Sequence, residues 1–225
     1  MSRHRPPVPA QVVFNARRAE FAPLGLRERF ELIYRTNLWT ATSRSGLGSE
    51  LAATAAVRAA LPSLVETIGA RTLLDVPCGD FNWLGTVPLD VDYTGVDIVP
   101  ALVEENTRRF GGPRRRFMVA DLTIDPLPAA DLVLCRDCLV HLSFANIRRA
   151  LENLRRSGSR HLLTTTFLEH EVNADIEDGD WRRLNLQRAP FNLPEPELTV
   201  LEACTEGEGA YADKALGLWR IADLP

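Results

Sequence analysis

From Leu26 onward the apolar positions Leu26, Phe30, Ile33 and Tyr34 recur at helical spacing and end near Asn37–Trp39. The Ser/Gly segment 42–50 follows, with Ser49 a candidate N-cap for the next helix, which Pro62 is expected to break or kink. Downstream the pattern changes. Short apolar runs at 71–77, 93–98, 115–122, 130–137 and 160–167 predict five strands, with helical stretches at 99–110 and 144–156 between several of them. The second stretch is opened by Ser143 or Asn146 and closed by Ser157–Gly158. Strands separated by helices predict a parallel sheet covered on both faces. Two further runs, 198–204 and 214–221, are joined by an acidic, glycine-bearing loop too short for a crossover helix, so they predict an antiparallel pair at the sheet edge.

This pattern divides the chain. Residues 1–24, rich in proline and arginine without a sustained period, are expected as a loose N-terminal arm; 25–70 as a helical lid; 71–225 as the α/β domain. Within that domain the polar, proline-punctuated stretch 168–197 is an insertion. It reads either as a lid or substrate loop or as a solvated excursion, with Trp181, Leu184, Leu186 and Phe191 as apolar anchors that fold it back.

A length of 225 residues suits one α/β domain, and 45% hydrophobic with 25% charged content excludes disorder as the main state. Of 26 basic residues one, Lys214, is lysine and the rest are arginine, a bias that reflects coding preference rather than function. The arginine doublets are scattered and the net charge is −4, so no nucleic-acid partner is expected. No apolar run approaches the ~20 residues of a membrane span. The first residues lack an apolar secretory core, and the four cysteines lie in apolar stretches without a disulfide framework, so a reducing cytoplasm is expected. The pair in CRDC lacks a second pair or a nearby histidine pair, and the acidic run 169–180 does not fit a calcium loop; no metal site is expected, although the run admits a hard cation as an alternative to a solvated loop. Nothing in the sequence sets the oligomeric state.

The first strand runs directly into LLDVPCGDFNW, where a glycine turn lets backbone N–H groups approach a ligand. Asp97 ends the second strand and suits a pair of ribose hydroxyls, and Asp121 ends the third. Three acids at three successive strand ends point toward one crevice.

The ordered set LLDVPCGD, YTGVDI, FMVADL and DLVLCRDCLVHLS resembles the class I S-adenosylmethionine-dependent methyltransferases, over about residues 71–222. The resemblance implies a doubly wound, mostly parallel seven-stranded Rossmann-like sheet with a closing antiparallel pair and helices on both faces. The loop departs from the family's D-x-G-x-G-x-G pattern, with Pro77 and Phe81 at the first and third glycine positions and only Gly79 retained. By the resemblance Gly79, Asp75 and Asp80 hold the methionine moiety, Asp97 the ribose, and Asp121 the adenine amino group with Leu122 as ring neighbour. The lesser alternative for Asp121 is a strand-end turn former. Arg136, Asp137 and His141 stand where such proteins face the sulfonium and the acceptor. His141 is either a base or a support for the backbone; Asp137 orients the acceptor or counters the sulfonium; Arg136 pairs with an acidic substrate or with Asp137. Tyr34, Asn37 and Trp39 are lid candidates, or Tyr34 and Trp39 simply pack the first helix on the sheet.

The implied activity is methyl transfer from S-adenosylmethionine to an O or N nucleophile of a small molecule. A non-catalytic adenosylmethionine-binding protein and a nicotinamide-dependent oxidoreductase are the alternatives. Against the latter, Pro77 removes an N–H donor, Asp80 adds negative charge and Phe81 adds bulk where a pyrophosphate needs bare backbone.

Overall fold

The computed structural model describes residues 9–225. Seven strands form one sheet: β1 (Thr72–Asp75), β2 (Asp92–Asp97), β3 (Arg115–Val119), β4 (Leu132–Cys135), β5 (His161–Phe167), β6 (Leu198–Leu201) and β7 (Lys214–Arg220), in the spatial order β3-β2-β1-β4-β5-β7-β6. The first five pair in parallel, while β7 runs antiparallel between β5 and β6. Every strand coincides with a predicted apolar run. Alternation within them feeds two cores: Leu74, Val133 and Leu162 face one side, and Leu73, Leu132 and Leu163 the other.

The second of those cores is covered by α4 (Ala55–Thr67) through Val57, Leu61 and Leu64, with Phe110 from the end of α5 (Pro100–Phe110) packed against it. The first is covered by α6 (Phe144–Arg156), which buries Ile147, Ala150 and Leu154, and by the insertion through Leu184, Leu186 and Phe191. Ser143 caps α6 by accepting from the Asn146 N–H at 3.4 Å, and Gly158 leaves the helix in the left-handed region. The strand order reverses between β1 and β4, and ligands of such sheets bind at the carboxyl ends of strands beside that switch.

Three expectations need correcting. The part of the arm within the described residues is not loose: α1 (Pro9–Ala16) and α2 (Arg18–Phe21) bury Phe14 and Phe21, whose rings stand 4.6 Å apart, against Ile33 of α3 (Leu26–Thr36). Two helices this short, separated by Arg17 alone, are too brief to show a period; residues 1–8 of the arm lie outside the described residues. Ser49 does not cap α4 but ends a single 3₁₀ turn, Leu47–Ser49, and the helix begins after Thr54. Pro62 sits inside α4 without ending it, because Leu61, Leu64 and Val65 around it are buried and core packing outweighs one missing hydrogen bond. Among the described residues no helix is long and apolar enough to cross a membrane.

Candidate active site

The turn after β1 opens a cleft of about 1070 Å³, partly open to solvent, at the carboxyl ends of β1, β2, β3 and β4. Asp75, Gly79, Asp80, Asp97, Asp121, Leu122, Arg136, Asp137 and His141 all line it, so every site residue expected from the sequence converges there. Leu26, Phe30 and Tyr34 of α3, with Trp39 and Ser45 beyond it, also line the cleft.

The cradle is held from below. Asp97 accepts the Gly79 N–H at 3.0 Å and the Val99 N–H at 2.9 Å, fixing the turn to the end of β2. Burial raises the Asp97 pKa to about 6, against those backbone donors. Asp75 is buried at the floor and accepts from the Tyr93 hydroxyl at 2.7 Å; burial outweighs that bond and lifts its pKa to about 8. Gly79 has φ 52°, and a Cβ there would overlap the Ser45 hydroxyl, so glycine permits both the turn and the approach of loop 42–50.

Phe81 resolves the departure from the glycine pattern. It adopts φ 56°, the left-handed conformation that glycine supplies elsewhere, and its ring packs on Tyr93, Phe110 and Phe117 at 5.0, 5.2 and 5.4 Å. Left-handed backbone costs a non-glycine residue about 1–2 kcal/mol, which the buried ring offsets. The side chain is therefore on the far side of the turn, and the expectation that its bulk obstructs a phosphate does not hold.

Asp80 also differs from expectation in orientation. Its carboxylate accepts from the Ser43 hydroxyl (2.9 Å), the Arg44 N–H (2.8 Å), the Ser45 hydroxyl (3.3 Å) and the Asn82 N–H (3.2 Å), while its own N–H donates to Ser45. It clamps loop 42–50 to the cradle. Asp121 takes the Thr123 N–H and hydroxyl on one oxygen, both at 2.7 Å, which satisfies its turn-forming role while keeping the residue in the cleft. Asn153 of α6 donates to the Leu122 and Asp125 carbonyls at 2.8 Å each, steadying that turn.

At the end of β4 the backbone carries Asp137 at φ 51°, sparsely populated for a non-glycine residue. Arg136 is paired within the protein. Its guanidinium is bidentate to Glu202 (3.1 and 2.6 Å) and 3.2 Å from Asp137, buried beneath Trp83. Lys214 lies 2.7 Å from Asp137 and 3.3 Å from Glu202. Burial alone would raise the Asp137 pKa, but Lys214 and Arg136 outweigh it and hold the carboxylate well below its usual range.

His141 closes the site. Its Nδ1 is 2.8 Å from the Asp180 carbonyl, its ring stands 5.0 Å from that of Trp39, and burial pushes its pKa down to about 4. The insertion builds this corner: the Gly179 N–H donates to the His141 carbonyl at 2.8 Å, and Arg182 donates to the Leu139 and Leu142 carbonyls at 2.9 and 2.7 Å. Its acids have work here. Asp178 accepts from the Ser143 N–H and the Asn146 amide, and Asp175 from the Phe144 N–H, so both sit at the positive end of α6. Among the described residues no His/Cys/Asp/Glu group is arranged to hold a metal ion.

Sequence reasoning missed Glu202, Glu206, Tyr211 and the placement of Lys214. The signal available was the lysine itself, alone among arginines.

Residues 73–159 match a family described as the methyltransferase domain, and no curated protein matches the chain. Among solved structures, 1,6-didemethyltoxoflavin-N1-methyltransferase of Burkholderia thailandensis superposes with TM-score 0.57 at 18% identity, over 90% of this chain and 89% of that one. Human N-acetylserotonin methyltransferase gives 0.51 at 16% identity, over 77% and 56%. The N-methyltransferase NodS of Bradyrhizobium japonicum WM9 gives 0.50 at 12% identity, over 62% and 74%. Of another solved structure that it matches, the chain spans 48% of the length. At these identities the likeness is one of fold: the chain carries a match to a methyltransferase domain over residues 73–159 and shares the Rossmann-like architecture of these methyltransferases.

Proposed function

We propose that the protein transfers the methyl group of S-adenosylmethionine to an O or N nucleophile of a small molecule. The observation that carries this reading is that the cleft at the strand ends meets a second, ring-lined chamber at Trp39, Asp137 and His141, which line both. A methyl group passing between two ligands needs such a junction.

The residues suit the donor. Asp97, with one backbone donor on each oxygen, retains lone pairs for two ribose hydroxyls; Asp121 offers its second oxygen to the adenine amino group beside Leu122. Asp75 and the Gly79 turn receive the methionine end, and Arg44 brings a cation to the same cleft. Asp80 serves the cofactor through the loop it clamps. Pro77 in the cradle and the acids beneath it disfavour a dinucleotide pyrophosphate. When bound, the donor supplies an electrophilic methyl on a sulfonium.

What the chain supplies is alignment, exclusion of water by α3 and loop 42–50, and a proton acceptor. His141 donates its Nδ1–H in a hydrogen bond to the Asp180 carbonyl, so Nε2 keeps a lone pair for the junction. A neutral imidazole there takes the proton released by an O–H or N–H acceptor. The four free cysteines fit a reducing cytoplasm.

Calorimetric titration with S-adenosylmethionine and S-adenosylhomocysteine, with NAD⁺ and NADP⁺ as controls, tests the reading. Binding of the first pair alone supports it, and silence from that pair overturns it. Cofactor binding with no turnover against any acceptor pool would instead mean a binding protein on a retained fold.

A further inference from the structure

The chamber beyond the junction is a recess of about 640 Å³, counting the space that opens to solvent. Its walls are rings. Trp39 and His141 stand on the cleft side, and Phe167, Trp181 and Tyr211 on the other. The latter three pack edge to face at 79–86° with centroids 5.4–6.3 Å apart, a rigid arrangement that leaves little freedom to reshape.

The polar end is Asp137, Glu206 and Lys214. Lys214 directs its Nζ to Asp137 Oδ2 (2.7 Å) and Glu202 Oε2 (3.3 Å), and an ammonium has three donors, so one remains. A planar guanidinium suits bidentate partners, as Arg136 shows on Glu202; two acceptors on separate side chains, with a third direction left for a ligand, suit an ammonium. That geometry gives the chain's one lysine a physical reason to be lysine.

The cations here are fully matched by carboxylates. Arg136 and Lys214 face Asp137 and Glu202, and the partly buried Glu206 on the chamber wall adds no positive charge. An anionic ligand leaving water for this chamber meets no surplus cation to offset its desolvation.

We propose that the chamber seats an uncharged, flat ring compound whose hydrogen-bond-accepting substituent takes the third N–H of Lys214. That this ligand is the methyl acceptor rests on the methyltransferase reading above; that it binds does not. Gly48 keeps the approach open, since a Cβ there would stand 2.8 Å from Asp137 Oδ2.

One lysine means one side-chain reporter. Full-length protein labelled with ¹³Cε-lysine, with and without S-adenosylhomocysteine, is titrated with 4-quinolone, 4-quinolone-3-carboxylate and cyclohexanone, following the Lys214 signal and tryptophan fluorescence. The neutral ring is expected to shift the one and quench the other, with the carboxylate and the saturated ketone weaker by about tenfold or more. Trp181→Leu, which shortens a wall without touching the ion pairs, is expected to weaken quinolone binding and leave S-adenosylhomocysteine binding unchanged. Equal or tighter binding of the carboxylate or of cyclohexanone, or no response to 4-quinolone, overturns the assignment. Quinolone binding without S-adenosylhomocysteine binding keeps the chamber and removes the methyltransferase reading; the converse does the opposite.

Discussion

The Nδ1 of His141 lies 2.8 Å from the carbonyl oxygen of Asp180, and this contact fixes which ring nitrogen carries the proton. A carbonyl only accepts, so Nδ1 is the donor and Nε2 the free lone pair. Residue 180 belongs to the insertion, so a loop remote in sequence sets the tautomer of the candidate base.

His141→Ala is expected to lower methyl transfer by about 10²-fold while leaving the affinity for S-adenosylhomocysteine unchanged. His141→Asn separates catalysis from support, because its amide can still donate to the Asp180 carbonyl. Equal loss in both variants marks a base. Recovery in the asparagine variant, tracked by melting temperature, marks a backbone support.

The pH dependence follows from burial. With a pKa near 4, His141 is neutral well below its ordinary value of 6.5, so its protonation should not produce a break in turnover near neutrality. Between those two values the unfolded chain binds the proton and the folded chain does not. Its contribution to stability is therefore lost as pH falls through that window. Chemical denaturation of wild type and His141→Asn at pH 7 and pH 4.5 measures it: the asparagine variant should lose less stability between the two.

Much of this site is legible in the sequence, and for a definite reason. Asp75, Asp97 and Asp121 are each fixed by the end of a strand whose apolar run is local information, and the parallel order then aligns the ends. Lys214 and Glu202 are different. Lys214 meets Asp137 only because β7 returns antiparallel beside β5, which sets Phe167 opposite Lys214. No local pattern encodes that meeting. Phe81 illustrates a further limit: its left-handed backbone is sustained by three rings from other elements. The acidic run 169–180 looked like a cation loop or a solvated one, and its capping of α6 depended on where the insertion docks.

Asp97 should make cofactor affinity pH-dependent. Ribose hydroxyls donate to a carboxylate, and burial raises this one to a pKa of about 6, so binding favours the ionised form. Below that pH the dissociation constant for S-adenosylhomocysteine is expected to rise about tenfold per unit. Asp97→Asn should weaken binding by about 1–3 kcal/mol and remove that slope. Calorimetry from pH 5 to pH 8 on both proteins checks the slope and the loss together. A flat wild-type profile would take Asp97 out of the ribose site.

Gly79→Ala tests the contact between cradle and loop 42–50. The variant carries a strained φ of 52° and a methyl group pressed on the Ser45 hydroxyl. Strain of this kind costs about 1–2 kcal/mol. Adding Ser45→Ala removes the steric part but not the backbone part, so the double variant should regain a fraction of the lost melting temperature. Full recovery would mean that the backbone conformation at Gly79 carries no cost.

Arg136 is expected to matter for stability rather than for recognition of an acidic ligand. Its guanidinium is spent on Glu202 and Asp137, and removing one partner from a buried pair leaves the other charge uncompensated, at about 3–5 kcal/mol. Arg136→Met should therefore lower the melting point sharply. Glu202→Gln alone should also destabilise, since Arg136 and Lys214 would then share a single carboxylate, Asp137. The double variant Arg136→Met/Glu202→Gln restores balance by leaving Lys214 with Asp137, and should be more stable than Arg136→Met. Additive losses in the thermal denaturation cycle would show that the four groups do not act as one network.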